Sequence, residues 1–205
     1  MKSIVIVGAG DLGREIVWLI EDINKVKPTY VILGFLDDDE EKVGKEFFGY
    51  KVLGKLGQLE ELRKKTPLTA VLAIQQWSIR KKIVEEHSDF SHWESIIHPS
   101  AVVAVSSSIG TGSILFPQVT VSVGTRLGRF GLYYIRSTVC NDCNIGDYVS
   151  IMSGTIVLED VEVGDECFLS AGSCIHPQVK IGKRSHIGIK ATVKADCGEN
   201  SQINE

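Results

Sequence analysis

From Ile96 to Cys197 apolar residues recur every six positions, without one insertion or deletion. Cut into hexapeptides from Ile96, the stretch yields seventeen repeats, and the second position runs Ile97, Val103, Ile109, Leu115, Val121, Leu127, Tyr133, Val139, Ile145, Ile151 and onward to Val193. Sixteen of the seventeen are aliphatic, Tyr133 being the exception. The sixth position is small throughout, from Ala101, Ser107 and Ser113 to Ser185, Ala191 and Cys197. A strict period of six predicts a parallel β-helix, because one hexapeptide cannot bury its apolar residue alone and stacked coils line those residues into a continuous core. With three hexapeptides per triangular coil, seventeen make between five and six coils. Glycines at the third position (Gly110, Gly128, Gly146, Gly164, Gly182) are expected to serve outward corners.

Residues 1–90 follow another pattern. Ser3–Val7 is an apolar strand of the buried parallel kind, and Gly8-Ala-Gly10-Asp11-Leu12-Gly13 follows at once. Arg14–Asn24 carries a helical stripe of Ile16, Val17, Leu19, Ile20 and Ile23. Val31–Leu36 reads as a second strand ending on Asp37-Asp38-Asp39, Leu56–Lys65 as a helix, Ala70–Ile74 as a third strand and Ser78–Glu86 as a last helix. This βαβαβ order predicts a parallel sheet with crossover helices, half of a Rossmann domain. A glycine loop between strand and helix lets bare backbone approach a phosphate at the helix N-terminus. A dinucleotide needs two such halves, so no NAD is expected, and a mononucleotide or a nucleotide carrying a sugar fits better. Asp37 and Asp38 end the second strand, where carboxylates take ribose or base donors or stand in a solvated loop. The chain divides into a nucleotide-sugar domain at 1–90, a β-helix at 96–197 and a polar tail at 198–205.

Composition narrows the classes. The net charge of −4 and the absence of a basic stripe argue against nucleic acid. The longest early apolar run, Ile4–Val7, is too short for a signal peptide or a membrane span, which points to the cytoplasm. Five cysteines make no disulfide framework. Cys143, Cys167 and Cys197 occupy the small inward slot, and Cys140-x-x-Cys143 lacks the second pair that a zinc site would want, so no metal is expected.

A half-Rossmann domain followed by hexapeptide repeats resembles the bacterial acyltransferases of nucleotide-activated and sialic-acid sugars, the sialic acid O-acetyltransferase and bacillosamine-type N-acetyltransferase group. Beyond the repeats, Gly8–Gly13, Phe35-Leu36-Asp37-Asp38, Ala73-Ile74-Gln75-Gln76 leading to Ile79-Arg80-Lys81-Lys82, and Ile97-His98-Pro99-Ser100-Ala101 carry the likeness. The resemblance implies a left-handed β-helix, a homotrimer, acetyl-CoA or another acyl-CoA as co-substrate, and a UDP- or dTDP-linked sugar on the first domain. It places that sugar nucleotide on Gly8, Gly10, Asp11, Leu12, Gly13, Asp37, Asp38 and Gln75, and the coenzyme against Ser150, Gly154, Glu159 and Ala171.

The likeness breaks where the chemistry lies. The family histidine of a His-Asp/Glu-Cys-x-Ile-Gly stretch is Asn141 in Asn141-Asp142-Cys143-Asn144-Ile145-Gly146, and a second histidine position nine residues on is Ser150. Glu159 stands where the family has a glycine whose N–H faces the thioester oxygen, and the usual Gly-Val-Pro-Ala-Lys tail is absent. Asparagine cannot accept a proton near neutral pH, so Asp142 beside Asn141 is the polar catalyst that remains. Two functions stay open: an acyl-CoA-dependent sugar acyltransferase, or a trimeric nucleotide-sugar-binding or assembly protein of the same fold with lost chemistry. Tyr133-Tyr134 interrupts the repeat with bulk that fits an interface, an acceptor pocket or local packing.

Overall fold

The computed structural model describes residues 1–204. The chain forms two compact units, Met1–Pro99 and Ser100–Glu205.

In the first unit, strands β1 (Lys2–Val7), β2 (Tyr30–Leu36), β3 (Glu46–Phe47), β4 (Tyr50–Gly54) and β5 (Leu68–Leu72) lie in the order β3-β4-β2-β1-β5. β1 lies between β2 and β5 and pairs in parallel with both, and β4 extends the parallel run beyond β2. Helix α1 (Asp11–Val26) buries Leu12, Ile16, Val17, Leu19 and Ile20, the stripe its spacing predicts. α2 (Leu59–Lys65) and α3 (Trp77–Glu86) follow, α2 being preceded by a 3-10 turn at Leu56–Gln58 where a single helix was expected. The third strand sits two residues earlier than its apolar run suggests.

The antiparallel β3–β4 hairpin has no counterpart in the sequence pattern, since β3 is two residues long and its turn is Phe48-Gly49. Both turn residues have positive φ, 51° and 82°. Asn-Gly is the usual pair for such a turn, and Phe-Gly gives no comparable signal.

The second unit is the left-handed parallel β-helix. Two-residue strands stack eighteen residues apart into three sheets, with Thr120↔Thr138, Arg126↔Asn144 and Leu132↔Ser150 as successive registers on its three faces. They are the Thr138, Asn144 and Ser150 faces. The aliphatic second positions are buried down the interior, for example Val139, Ile145, Ile151 and Leu169. The last coil is shorter: Gln202–Ile203 pair with His186–Ile187, sixteen residues apart, so the polar C-terminal segment adds a strand to the stack.

From Gly112 to Lys190 the corners turn at the fifth position of the repeat, where Gln118, Phe130, Arg136, Asp142, Tyr148, Asp160, Glu166 and Gln178 have φ of 54–65° and Gly112, Gly124, Gly154 and Gly172 have φ of 68–73°. The third-position glycines therefore do not supply the corner torsion that the repeat suggested. They stack over one another: a Cβ on Gly110 would lie 2.4 Å from the Gly128 carbonyl carbon, and one on Gly128 2.4 Å from that of Gly146. Close approach of successive coils, not a special φ, excludes a side chain there.

The small sixth residues do more than fit. Ser113 Oγ donates to Gly128 O at 3.0 Å, Thr125 Oγ1 to Cys140 O at 2.6 Å and Thr155 Oγ1 to Ser170 O at 2.9 Å, each reaching a corner carbonyl of the next coil. Cys143 Sγ and Cys167 Sγ make the same bond to Leu158 O and Gly182 O at 2.9 and 3.1 Å. Burial pushes both thiols up to about 11, so they stay protonated donors at neutral pH.

Candidate functional site

The glycine loop follows directly from β1. Gly8 has φ 106°, and a Cβ there would lie 2.7 Å from Ala73 O, so β1 must leave the sheet on a glycine. Gly13 is equally constrained by Gly8 O, 2.3 Å from an added Cβ. Gly10, by contrast, is exposed with nothing within 4 Å of a Cβ, so the apex of the loop is open to a ligand. Gly10 also precedes α1 without any side-chain cap, which leaves the helix N-terminus free for an anion.

Of the two aspartates, half-buried Asp37 bonds to this loop, whereas Asp38 is exposed. Asp37 Oδ2 accepts from Ala9 N–H at 2.8 Å and from Lys42 Nζ at 3.0 Å, while its Oδ1 accepts from Asp39 N–H at 3.0 Å. Burial works to raise the Asp37 pKa, but the Ala9 and Asp39 amides and Lys42 together hold it below its usual value. Asp38 Oδ1 accepts from Leu56 N–H at 2.9 Å and caps the turn before α2. Asp37 thus latches the glycine loop, and Asp38 fixes the turn before α2. Asp11 and Gln75 are exposed and Leu12 is buried. Arg80, 1 % exposed, donates to the carbonyls of Ile74 and Gln75 and pins the loop that presents Gln75. Its place in Ile79-Arg80-Lys81-Lys82 was visible, but its inward course was not.

The second cluster lies on the corner between the Thr138 and Asn144 faces. Asn141 is half-buried and Asp142 exposed, and Asn141 Nδ2 donates to Asp142 Oδ2 at 3.1 Å. Asp142 has φ 58° and donates its N–H to Val123 O at 2.9 Å. Its carboxylate leans over Gly124, one coil below, where an added Cβ would fall 2.1 Å from Oδ1. Gly124 is therefore a positioning residue, and its signal in the sequence is a glycine eighteen residues before the aspartate. Glu159 stands one coil above Asn141, whose carbonyl accepts Asp160 N–H at 3.1 Å. The Glu159 N–H is a main-chain donor, the same group that a glycine at this position would carry.

The remaining coenzyme candidates lie elsewhere. Gly154 and Ala171 occupy the corner between the Ser150 and Thr138 faces, Gly154 exposed with open space at its Cβ and Ala171 half-buried. Ser150 is 1 % exposed. One protomer thus brings Asn141, Asp142 and Glu159 together and leaves Gly154 and Ala171 on a different edge of the prism. Two histidines have partners within the chain: His98 Nε2 lies 3.3 Å from Asp22 Oδ2, and His186 Nε2 lies 3.0 Å from Ser170 Oγ with its ring edge-on to Phe168.

The Tyr133-Tyr134 region is local packing. Tyr133 is fully buried inside the prism, and its ring occupies the place of a side chain at Gly131, whose added Cβ would meet Cε2 at 2.6 Å. Gly131 is the single glycine among the sixth positions. Outside, Tyr134 stacks on Phe116 at 4.6 Å and Tyr148 on Phe130 at 5.5 Å.

Fold and sequence together define the class. Residues 3–87 match the PglD N-terminal domain and residues 142–177 match the bacterial transferase hexapeptide of six repeats. The chain therefore joins a PglD-type N-terminal domain to the hexapeptide β-helix of bacterial transferases. Among curated proteins none matches the chain. Among solved structures it is similar to an asparagine-for-histidine mutant of perosamine N-acetyltransferase from Caulobacter crescentus in complex with CoA and GDP-perosamine, at 24 % identity and TM-score 0.89, over 98 % of this chain and 93 % of that one. The acetyltransferase domain of PglB from Neisseria gonorrhoeae with acetyl coenzyme A matches at 24 % identity and TM-score 0.87, over 98 % and 95 % of the two chains. WeeI from Acinetobacter baumannii matches at 25 % identity and TM-score 0.85, over 100 % and 97 %.

Proposed function

We propose that the protein is an acyl-CoA-dependent sugar acyltransferase, with acetyl-CoA as the simplest donor and a nucleotide-activated amino or hydroxy sugar as acceptor. The observation that carries this reading is the likeness over nearly the whole length, both domains included, to a perosamine N-acetyltransferase that holds CoA and GDP-perosamine. The open apex at Gly10 beside an uncapped helix N-terminus supports an anionic nucleotide in the first unit.

In the transfer, the acceptor amine or hydroxyl attacks the thioester carbonyl carbon, the C–S bond breaks, and CoA leaves as its thiol. The proton lost by the acceptor goes to Asp142, which Asn141 orients by its amide. Asn141 itself takes no proton. Much of the rate then comes from holding the two substrates together. The Glu159 N–H supports the oxyanion from one coil above. Because Gly154 and Ala171 lie on another edge than Asn141, we assign the complete site to the seam between copies of a homotrimer. Acyl-CoA as donor places the protein in the cytoplasm; among the described residues no helix is long and apolar enough to cross a membrane.

The test is thiol release from acetyl-CoA with a panel of GDP-, UDP- and dTDP-linked amino sugars. Turnover with one of them is expected, and Asn141→His, which restores a general base, is expected to raise kcat by about 10²- to 10⁴-fold. Silence from both forms across the panel overturns the transferase reading. The Asn141 substitution also favours the second reading, a binding or assembly protein. That reading predicts that nucleotide sugars raise the melting temperature without any thiol release.

A further inference from the structure

Asp37 spends both carboxylate oxygens on the protein's own donors and Asp38 gives Oδ1 to the Leu56 amide, so much of the polar capacity expected to hold ribose or base is used within the fold. Another feature stands beside the same loop. Phe48, at the tip of the β3–β4 hairpin, is 39 % exposed. The Arg14 guanidinium carbon lies over that ring, 5.6 Å from its centroid. Arg14 is in the first turn of α1 and donates its N–H to Gly10 O at 3.1 Å, which ties it to the open apex of the glycine loop. Phe35, whose Cε1 would lie 3.2 Å from a Cβ on Gly13, meets the Phe48 ring edge-on at 6.3 Å.

The backbone makes this aromatic expensive. Phe48 has φ 51°, a left-handed conformation that strains a side-chain-bearing residue and that Asn or Gly adopts at the same turn position with less strain. Partial packing on Phe35 offsets some of that cost but leaves the residue exposed. An exposed, strained aromatic backed by a guanidinium and adjoining a nucleotide loop has the chemistry of a base-stacking platform.

We infer that Phe48 and Arg14 form the shelf on which the nucleobase of the sugar nucleotide stacks. This rests on the reading of the first unit as a nucleotide site. Stacking contributes affinity with little discrimination between bases, since every base offers a π face.

Calorimetric titration of the full-length protein with UDP, GDP and inorganic pyrophosphate tests this. The wild type is expected to bind a nucleoside diphosphate. Phe48→Asn is expected to weaken that binding about tenfold or more while leaving pyrophosphate binding unchanged, and Phe48→Tyr to retain it. A single melting transition in Phe48→Asn shows that the variant is folded. If the wild type binds and Phe48→Asn binds equally well, or loses pyrophosphate to the same extent, the shelf is wrong and the nucleotide reading stands. If the wild type binds neither nucleoside diphosphate, the nucleotide reading falls and the shelf with it.

Discussion

At the scale of single residues, Asp37 shows how a side chain's role turns on one partner. Its position after a strand made it a candidate for ligand donors, yet its Oδ2 is taken by Ala9, twenty-eight residues upstream. That partner is a backbone amide, which no residue type in the sequence announces. The bonds hold the Asp37 pKa below its usual value against the opposing effect of burial. A group with a depressed folded pKa stabilises above its unfolded value, near 3.9, and the contribution disappears as pH falls through the folded value. Asp37→Asn is therefore expected to lower stability at neutral pH by about 1–3 kcal/mol, by losing the Lys42 pair and one amide acceptor. It is also expected to flatten the part of the acid-induced loss that Asp37 contributes. Thermal melts from neutral pH down to about pH 3 check this, and parallel pH curves for the two proteins would refute it.

At the scale of the element, the coil is the unit. Its period, its aliphatic column and its small slot were all legible, because each depends on residues six apart in one chain. The reasons behind some choices were not. Third-position glycines answer to the next coil eighteen residues away, and the small slot holds hydroxyl and thiol donors aimed at carbonyls of that coil. Tyr133 and Gly131 form a matched pair, a large residue in the column excused by a missing side chain two positions earlier. Gly131→Ala is expected to cost about 1–3 kcal/mol by overpacking. That corresponds to a fall of roughly 2–12 °C in melting temperature for a chain of this size. Combining it with Tyr133→Leu is expected to recover most of the loss, and a double variant no more stable than Gly131→Ala would show that the two do not compete for space. The β3–β4 hairpin escaped the pattern because two-residue strands carry no periodicity and a Phe-Gly turn carries no standard signature.

At the scale of the whole molecule, the proposed chemistry needs more than one copy. Val102, Val105, Val123 and Ile156 are exposed on the Thr138 face and on its corner with the Asn144 face, and Val123 stands in the same corner column as Asn141. An apolar stripe beside the candidate catalytic pair suits burial against a neighbouring protomer. Sedimentation is expected to give the mass of three 22.5 kDa chains. Val123→Asp is expected to weaken that assembly and to reduce thiol release with it. A monomer that retains full turnover would remove the seam from the mechanism.

The sequence by itself determined the prism, its column of aliphatic residues, the half-Rossmann order before it and the Asn141-Asp142 pair in place of a histidine motif. Those features are set by spacing along one chain and by residue chemistry. Only the tertiary structure decided that Asp37 latches the glycine loop, that Gly124 makes room for the Asp142 carboxylate, and that Phe48 stands strained and exposed beside Arg14. Each of these depends on a contact across eighteen or more residues, where the distance between atoms, and not the order of residues, sets what a side chain can do.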